Sequence, residues 1–198
     1  GAAPPAAPAL QVDGDAGVLI VSVRANSPAA KAGLVRGDIV LAVDDEAVDD
    51  ADALAAAILA HDTGDEIVLT ALHGSDTVDL LMSRATQFAN ESDVDLSLAV
   101  LDAVVDIAPD EAEAWYLRAK VNVLAGKPER ALSDLRRALN LDEKHYLAIA
   151  DLGLVLEQLG AKKEALKAYR QALAVNPYLD DAQAGVDALE REVEGQDI

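Results

Sequence analysis

The chain has 198 residues, with 36 acidic against 16 basic side chains and a formal charge of −20. Such an excess excludes the usual nucleic-acid partners, because affinity for a phosphate backbone rests on basic groups that release counterions. A hydrophobic content of 52% excludes wholesale disorder. The absence of cysteine removes disulfides, thiolate nucleophiles and Cys-ligated zinc. The uncharged stretch near residue 20 falls far short of the roughly 20 apolar residues of a membrane-spanning helix, so no membrane insertion is expected.

Residues 1–9 are Ala and Pro after the leading Gly. Pro4, Pro5 and Pro8 fix φ and remove donors, which predicts an extended linker, a remnant fused to the interior of a longer protein. It lacks the charged and apolar regions of a signal peptide. Strand signals follow at Val18–Val23, Ile39–Val43, 66–72 and 77–81, the last two flanking His73-Gly-Ser-Asp76 as a hairpin. Ser27-Pro28 with Gly33 brackets a one-turn helix over Ala29–Ala32. A second helix is expected from about Asp50 to Ala60, offering a small apolar face of Ala51, Leu54, Ala55 and Ile58.

From residue 84 onward the strand signals stop and a period begins. Ala131, Leu132, Ala138 and Leu139 recur 34 positions later as Ala165, Leu166, Ala172 and Leu173, and Gly126 returns as Gly160. A fixed period of this length, with small residues at helix crossings, marks stacked helical hairpins. The frame gives repeats at 112–145 and 146–179, a degenerate one at 78–111, and a capping helix over 180–194. Met82, Ala85 and Phe88 are spaced along one helical face, leaving no flexible residues between the halves, which are expected to behave as one unit.

Ser27-Pro-Ala-Ala-Lys-Ala-Gly-Leu34, Arg36-Gly-Asp-Ile-Val-Leu-Ala-Val43, Val48 and Gly64-Asp-Glu-Ile-Val-Leu carry a resemblance over residues 10–83 to bacterial PDZ domains of the kind attached to periplasmic serine proteases. The resemblance implies an extracytoplasmic protein. It also implies a groove formed by Leu10, Gln11 and Val12 with the 50–60 helix, where Gln11 stands in the place of the family's glycine. Trp115, Ala119, Gly126, Ala131, Leu135 and Ala138, then Leu152, Gly153, Leu156, Gly160, Ala165, Tyr169, Ala172 and Pro177, resemble a tetratricopeptide repeat array. That resemblance implies a concave face of Glu113, Tyr116, Lys120, Val123, Leu147, Ala150, Leu154 and Glu157. Only Lys120 among these is basic, so the clamp with which chaperone-binding members hold an acidic C-terminus is missing. The expected fold class is multidomain α+β: a small PDZ-like β-barrel or sandwich with two helices in 10–83, then an all-α helical-hairpin solenoid in 84–198.

No catalytic set is legible. His61, His73 and His145 are scattered and read as solvated polar residues, and no serine sits in a nucleophile turn. Neither Asp13-Gly-Asp15 nor the Asp44–Asp50 run has the spacing of a calcium loop, so no metal or cofactor is expected. The leading reading is a non-enzymatic scaffolding module that binds protein or peptide ligands through an apolar anchor. The alternatives are a regulatory C-terminal fragment of a larger peptidase with its catalytic domain upstream, and a purely structural oligomerisation unit.

Overall fold

The computed structural model describes residues 9–10, 17–20, 22–62 and 64–193. The chain divides into two units between Arg84 and Ala85. Gln11 and Val12 lie outside the described residues, as do the acids of the first calcium-like run.

In the first unit the strands are β1 (Ala9–Leu10), β2 (Gly17–Leu19), β3 (Ile39–Val43), β4 (Glu46–Ala47) and β5 (Leu69–Leu72). The β3 strand is the centre, pairing antiparallel with β2, β4 and β5, while β1 pairs with β2. Its register against β5 shifts between Val40 and Ala42. The β3–β4 turn puts both Asp44 and Asp45 at positive φ, 49° and 66°, the pairing a two-residue hairpin with right-handed strand twist demands. Helix α1 (Pro28–Lys31) begins on Ser27, whose Oγ accepts from Ala30 N at 3.1 Å. Helix α2 (Ala51–Leu59) begins on Asp50, whose Oδ1 accepts from Ala53 N at 2.7 Å. Each side chain satisfies one of the donors a helix start leaves open. The core is Val18, Leu34, Val40, Val43 and Val48, with Ala51, Ala53, Leu54 and Ala57 of α2 against it.

Three strand expectations change, the one over 66–72 narrowing to β5 from Leu69. The first strand is shorter than Val18–Val23, ending at Leu19. The stretch 77–81, expected as the second arm of a hairpin, is part of helix α3 (Ser75–Asn90). Gly74 turns the chain at φ 64°, and from there the buried residues are Thr77, Leu81, Arg84, Ala85 and Phe88. That spacing is helical, and the burial of one long stripe outweighs the β-propensity of five residues.

The second unit is built of helical hairpins whose helix starts repeat to the residue. The second helices α4 (Val94–Ile107), α6 (Pro128–Leu141) and α8 (Lys162–Val175) start 34 residues apart. So do the first helices α5 (Ala112–Leu124), α7 (Tyr146–Gln158) and α9 (Asp180–Val193). The hairpin turns keep the same step: Ser92, Gly126 and Gly160 sit at φ 67°, 67° and 80°. At each turn the next N–H reaches back over the helix end, from Asp93 to Phe88 O, Lys127 to Asn122 O and Ala161 to Leu156 O, at 2.8–2.9 Å. Those bonds close a left-handed helix stop, which glycine adopts without strain and Ser92 does not. The array buries one cluster around Tyr116, Ala119, Leu135, Ala138 and Val155 and another around Ile149, Leu166, Tyr169, Val186 and Leu189. Tyr169 wedges between Gly153 of α7 and Gly185 of α9, and an added Cβ at either glycine would fall within 2.6 Å of its ring.

Candidate functional site

A cavity of about 640 Å³ opens in the first unit between α1, α2 and β5. Its wall is aliphatic: Pro28 and Ala29 from α1 and Ala32 just after it, Leu54 and Ile58 from α2, and Ile67, Leu69 and Ala71 at and before β5. Ile58 is 42% exposed at its edge. Two polar side chains line it, Ser27 and His73. The His73 Nδ1 lies 2.8 Å from Oδ1 of Asp38, a side chain 1% exposed. The other oxygen of Asp38 accepts from Val35 N at 2.7 Å. Concave, apolar and edged by few polar groups, this cavity has the makeup of a ligand site.

Of the expected groove residues, the structure brings Leu54 and Ile58 to the cavity. Ala51 packs on the core, and Ala55 is exposed and absent from the cavity wall, because the face of α2 that meets the sheet runs through 51, 53, 54 and 57 rather than 55. Leu10 contributes its backbone to β1, opposite Gly17. The β5 wall was missed. Its signal was the alternation Ile67, Leu69, Ala71, His73, the period at which a strand presents one face.

In the second unit the inner face is a connected polar surface. His145 is no solvated loop residue. Its side chain is 12% exposed, Nδ1 accepts from Ala148 N at 3.2 Å to cap α7, and Nε2 lies 3.0 Å from Glu113 Oε2. Tyr116, expected as an open contact, is 5% exposed, with its ring against His145 and Lys120 over its face. Burial first, then Asp151 and Glu113 alongside, pushes the Tyr116 hydroxyl up from its ordinary pKa. Burial also raises the Asp151 carboxyl, with Lys120 pulling the other way. Glu157 accepts from the Tyr169 hydroxyl at 3.0 Å. Leu147 and Leu154, each 40% exposed, flank Ala150 on α7 as an open apolar stripe. Val123 is half-buried against the core cluster. Trp115 packs against the core cluster, its indole N–H donating to Pro109 O at 3.0 Å between Arg118 and Arg137. Among the described residues no three His, Asp or Glu side chains gather to hold a metal ion, and no helix is long and apolar enough to cross a membrane.

Two family models match the chain: the PDZ domain over residues 9–82 and the tetratricopeptide repeat over 112–145 and 148–178. The chain is a PDZ domain followed by tetratricopeptide repeats. Helix α4 and the turn at Ser92 keep the same 34-residue step ahead of the matched repeats. A TPR repeat-containing protein of Rhizobium etli is 31% identical over 122 residues, which is 62% of this chain and 60% of that relative. DnaJ homolog subfamily C member 3 of Homo sapiens is 28% identical over 102 residues, 52% of this chain and 20% of its own. The chain thus spans little more than half of one curated relative and a fifth of the other. Among solved structures, MamA aligns at TM-score 0.57 and 22% identity over 61% of this chain and 70% of its own. The first TPR of Spaghetti (RPAP3), bound to the HSP90 peptide SRMEEVD, aligns at 0.59 and 19% over 61% and 96%. These likenesses establish the helical-repeat fold of the array, and both matched families are interaction modules.

Proposed function

We propose that this chain is a non-enzymatic peptide-binding module in which the cavity of the PDZ domain takes the apolar anchor of an extended ligand. The observation that carries this reading is the 640 Å³ aliphatic cavity bounded by Leu54, Ile58, Ile67 and Leu69. Burying one Leu-sized anchor stabilises a complex by about 1.5–3 kcal/mol. Main-chain hydrogen bonds to a strand edge add about 0.5–1.5 kcal/mol each. Set against the entropy of ordering the peptide, that places the affinity in the micromolar range. The inner face of the repeats is a second contact, suited to neutral or basic segments. Leu147 and Leu154 offer apolar purchase, and Lys120 is the single base among its eight positions. Like charge then disfavours acidic tails.

A fluorescent library of extended peptides, read by anisotropy, tests the first site. Ile58→Glu should abolish binding of the peptides selected, and amidating their C-termini should weaken it much less. Unchanged affinity for Ile58→Glu would move the ligand elsewhere.

A further inference from the structure

The middle repeat departs from the one that follows it. Arg118, Asn122 and Asp134 stand 34 residues ahead of Leu152, Leu156 and Ala168. The hairpin therefore stacks with apolar side chains at these three places, and a buried ionic group there does not improve on apolar packing. In the middle repeat the three are wired together. Arg118 donates from Nε and Nη2 to Asp134 at 3.0 and 2.7 Å, and from Nη1 to Asp102 of α4 at 2.8 Å. Asn122 Nδ2 donates to Asp134 at 3.0 Å. Burial opposes the charge on Arg118, but the bonds to Asp134 and then Asp102 outweigh it and raise its pKa.

Above this network lies a polar cavity of about 280 Å³, lined by Leu98 and Asp102 of α4, Arg118 and Asn122 of α5, and Arg130, Ser133 and Asp134 of α6. Its lining shares no residue with the eight positions of the inner face. It is rich in donors. A guanidinium carries five N–H groups, and Arg118 commits three of them. Arg130 makes no hydrogen bond or ion pair among the described residues, and the Ser133 side chain is exposed. Both oxygens of Asp134 are taken. Asp102, 67% exposed, is tied by one oxygen only. Between Arg118 and Lys144 lie seven of the 16 basic residues of the chain against four acidic ones, while α4 carries Asp95, Asp102 and Asp106 and no basic residue.

We propose that this cavity docks an acidic side chain of a partner protein segment, whose carboxylate bridges Arg118 and Arg130 and displaces Asp102. In the free protein Asp102 fills the place of that carboxylate on Nη1 of Arg118. Leu98 supplies the apolar wall against which the methylenes of a glutamate lie. A planar guanidinium pair suits a carboxylate better than a point charge does.

The test uses the full chain and the fluorescein-labelled peptide Gly-Gly-Glu-Glu-Gly-Gly with an amidated C-terminus, read by anisotropy at low salt beside its Gln-Gln counterpart. The glutamate peptide should bind more tightly. Arg130→Gln should weaken it by about threefold, the scale of an exposed ion pair. Asp102→Asn should tighten it by about the same factor, since the internal competitor is gone. Lys167→Gln, at the place in the next repeat equivalent to Ser133, should change nothing. Circular dichroism checks that the variants fold, all three altered side chains being exposed. Equal affinity for the glutamine peptide, no gain with Asp102→Asn, or no loss with Arg130→Gln would overturn the proposal. So would displacement by inorganic phosphate as effective as by unlabelled peptide, which would mark a free-anion site.

Discussion

Replacing Gly153 by Ala should destabilise the repeat array by about 2 kcal/mol, although Ala is the better helix former. The new Cβ would lie 2.6 Å from Cδ1 and 2.7 Å from Cε1 of Tyr169, far inside ordinary contact. The ring cannot retreat, because Gly185 sits on its other side, where a Cβ would be 2.5 Å from Cε2. Its hydroxyl is also tied to Glu157 at 3.0 Å. Overpacking of this kind costs about 1–3 kcal/mol, and a trapped ring belongs at the upper end. Ala in place of a helical Gly returns about 1 kcal/mol, which leaves a loss of about 2. Urea unfolding of the full chain, followed by circular dichroism at the helical band, reads the difference. Gly185→Ala should behave alike, and Tyr169→Leu should remove most of the penalty of Gly153→Ala when the two are combined. A Gly153→Ala protein as stable as the parent would show that the close approach imposes no constraint, and the wedge account would fail.

Ser92→Gly should stabilise the first hairpin by about 1 kcal/mol, since a left-handed residue with a Cβ is strained there; lower stability on urea unfolding would refute this. Asp134→Ala should destabilise by about 3 kcal/mol or more, because Arg118 loses two of its three bonds and Asn122 loses its acceptor; a loss below about 1 kcal/mol would show that water replaces them. Burial raises the Asp151 carboxyl, so the folded state holds that proton to higher pH than the unfolded chain. Its effect on stability therefore worsens as pH rises from the ordinary carboxylate range through the raised value. Asp151→Asn should accordingly raise the melting temperature at pH 7 and do so less at pH 4, and a pH-independent difference would contradict the assignment.

How far the sequence led is clearest in the repeats. The 34-residue step that Gly126 and Gly160 mark at two hairpin turns extends to the turn at Ser92, where no glycine announces it. The PDZ core was legible in Ile39–Val43 and in the two capped helices. The stretch 77–81 was not, because five residues of strand-like composition say nothing of the helical stripe running on to Phe88. At the site, the helix side of the cavity could be read from Leu54 and Ile58, while the choice between Ala51 and Ala55 depends on how α2 rotates against the sheet. The pairings of His73 with Asp38 and His145 with Glu113 join residues 35 and 32 apart and carry no local signal.

The central claim is that an apolar anchor enters the cavity between α1, α2 and β5. Methyl-labelled nuclear magnetic resonance of the full chain, titrated with the tightest library peptide, tests it most directly. The methyls of Leu54, Ile58, Ile67 and Leu69 should shift together along one saturating curve, while Leu135, buried in the array, stays still. Shifts that spare these four and gather elsewhere would contradict it.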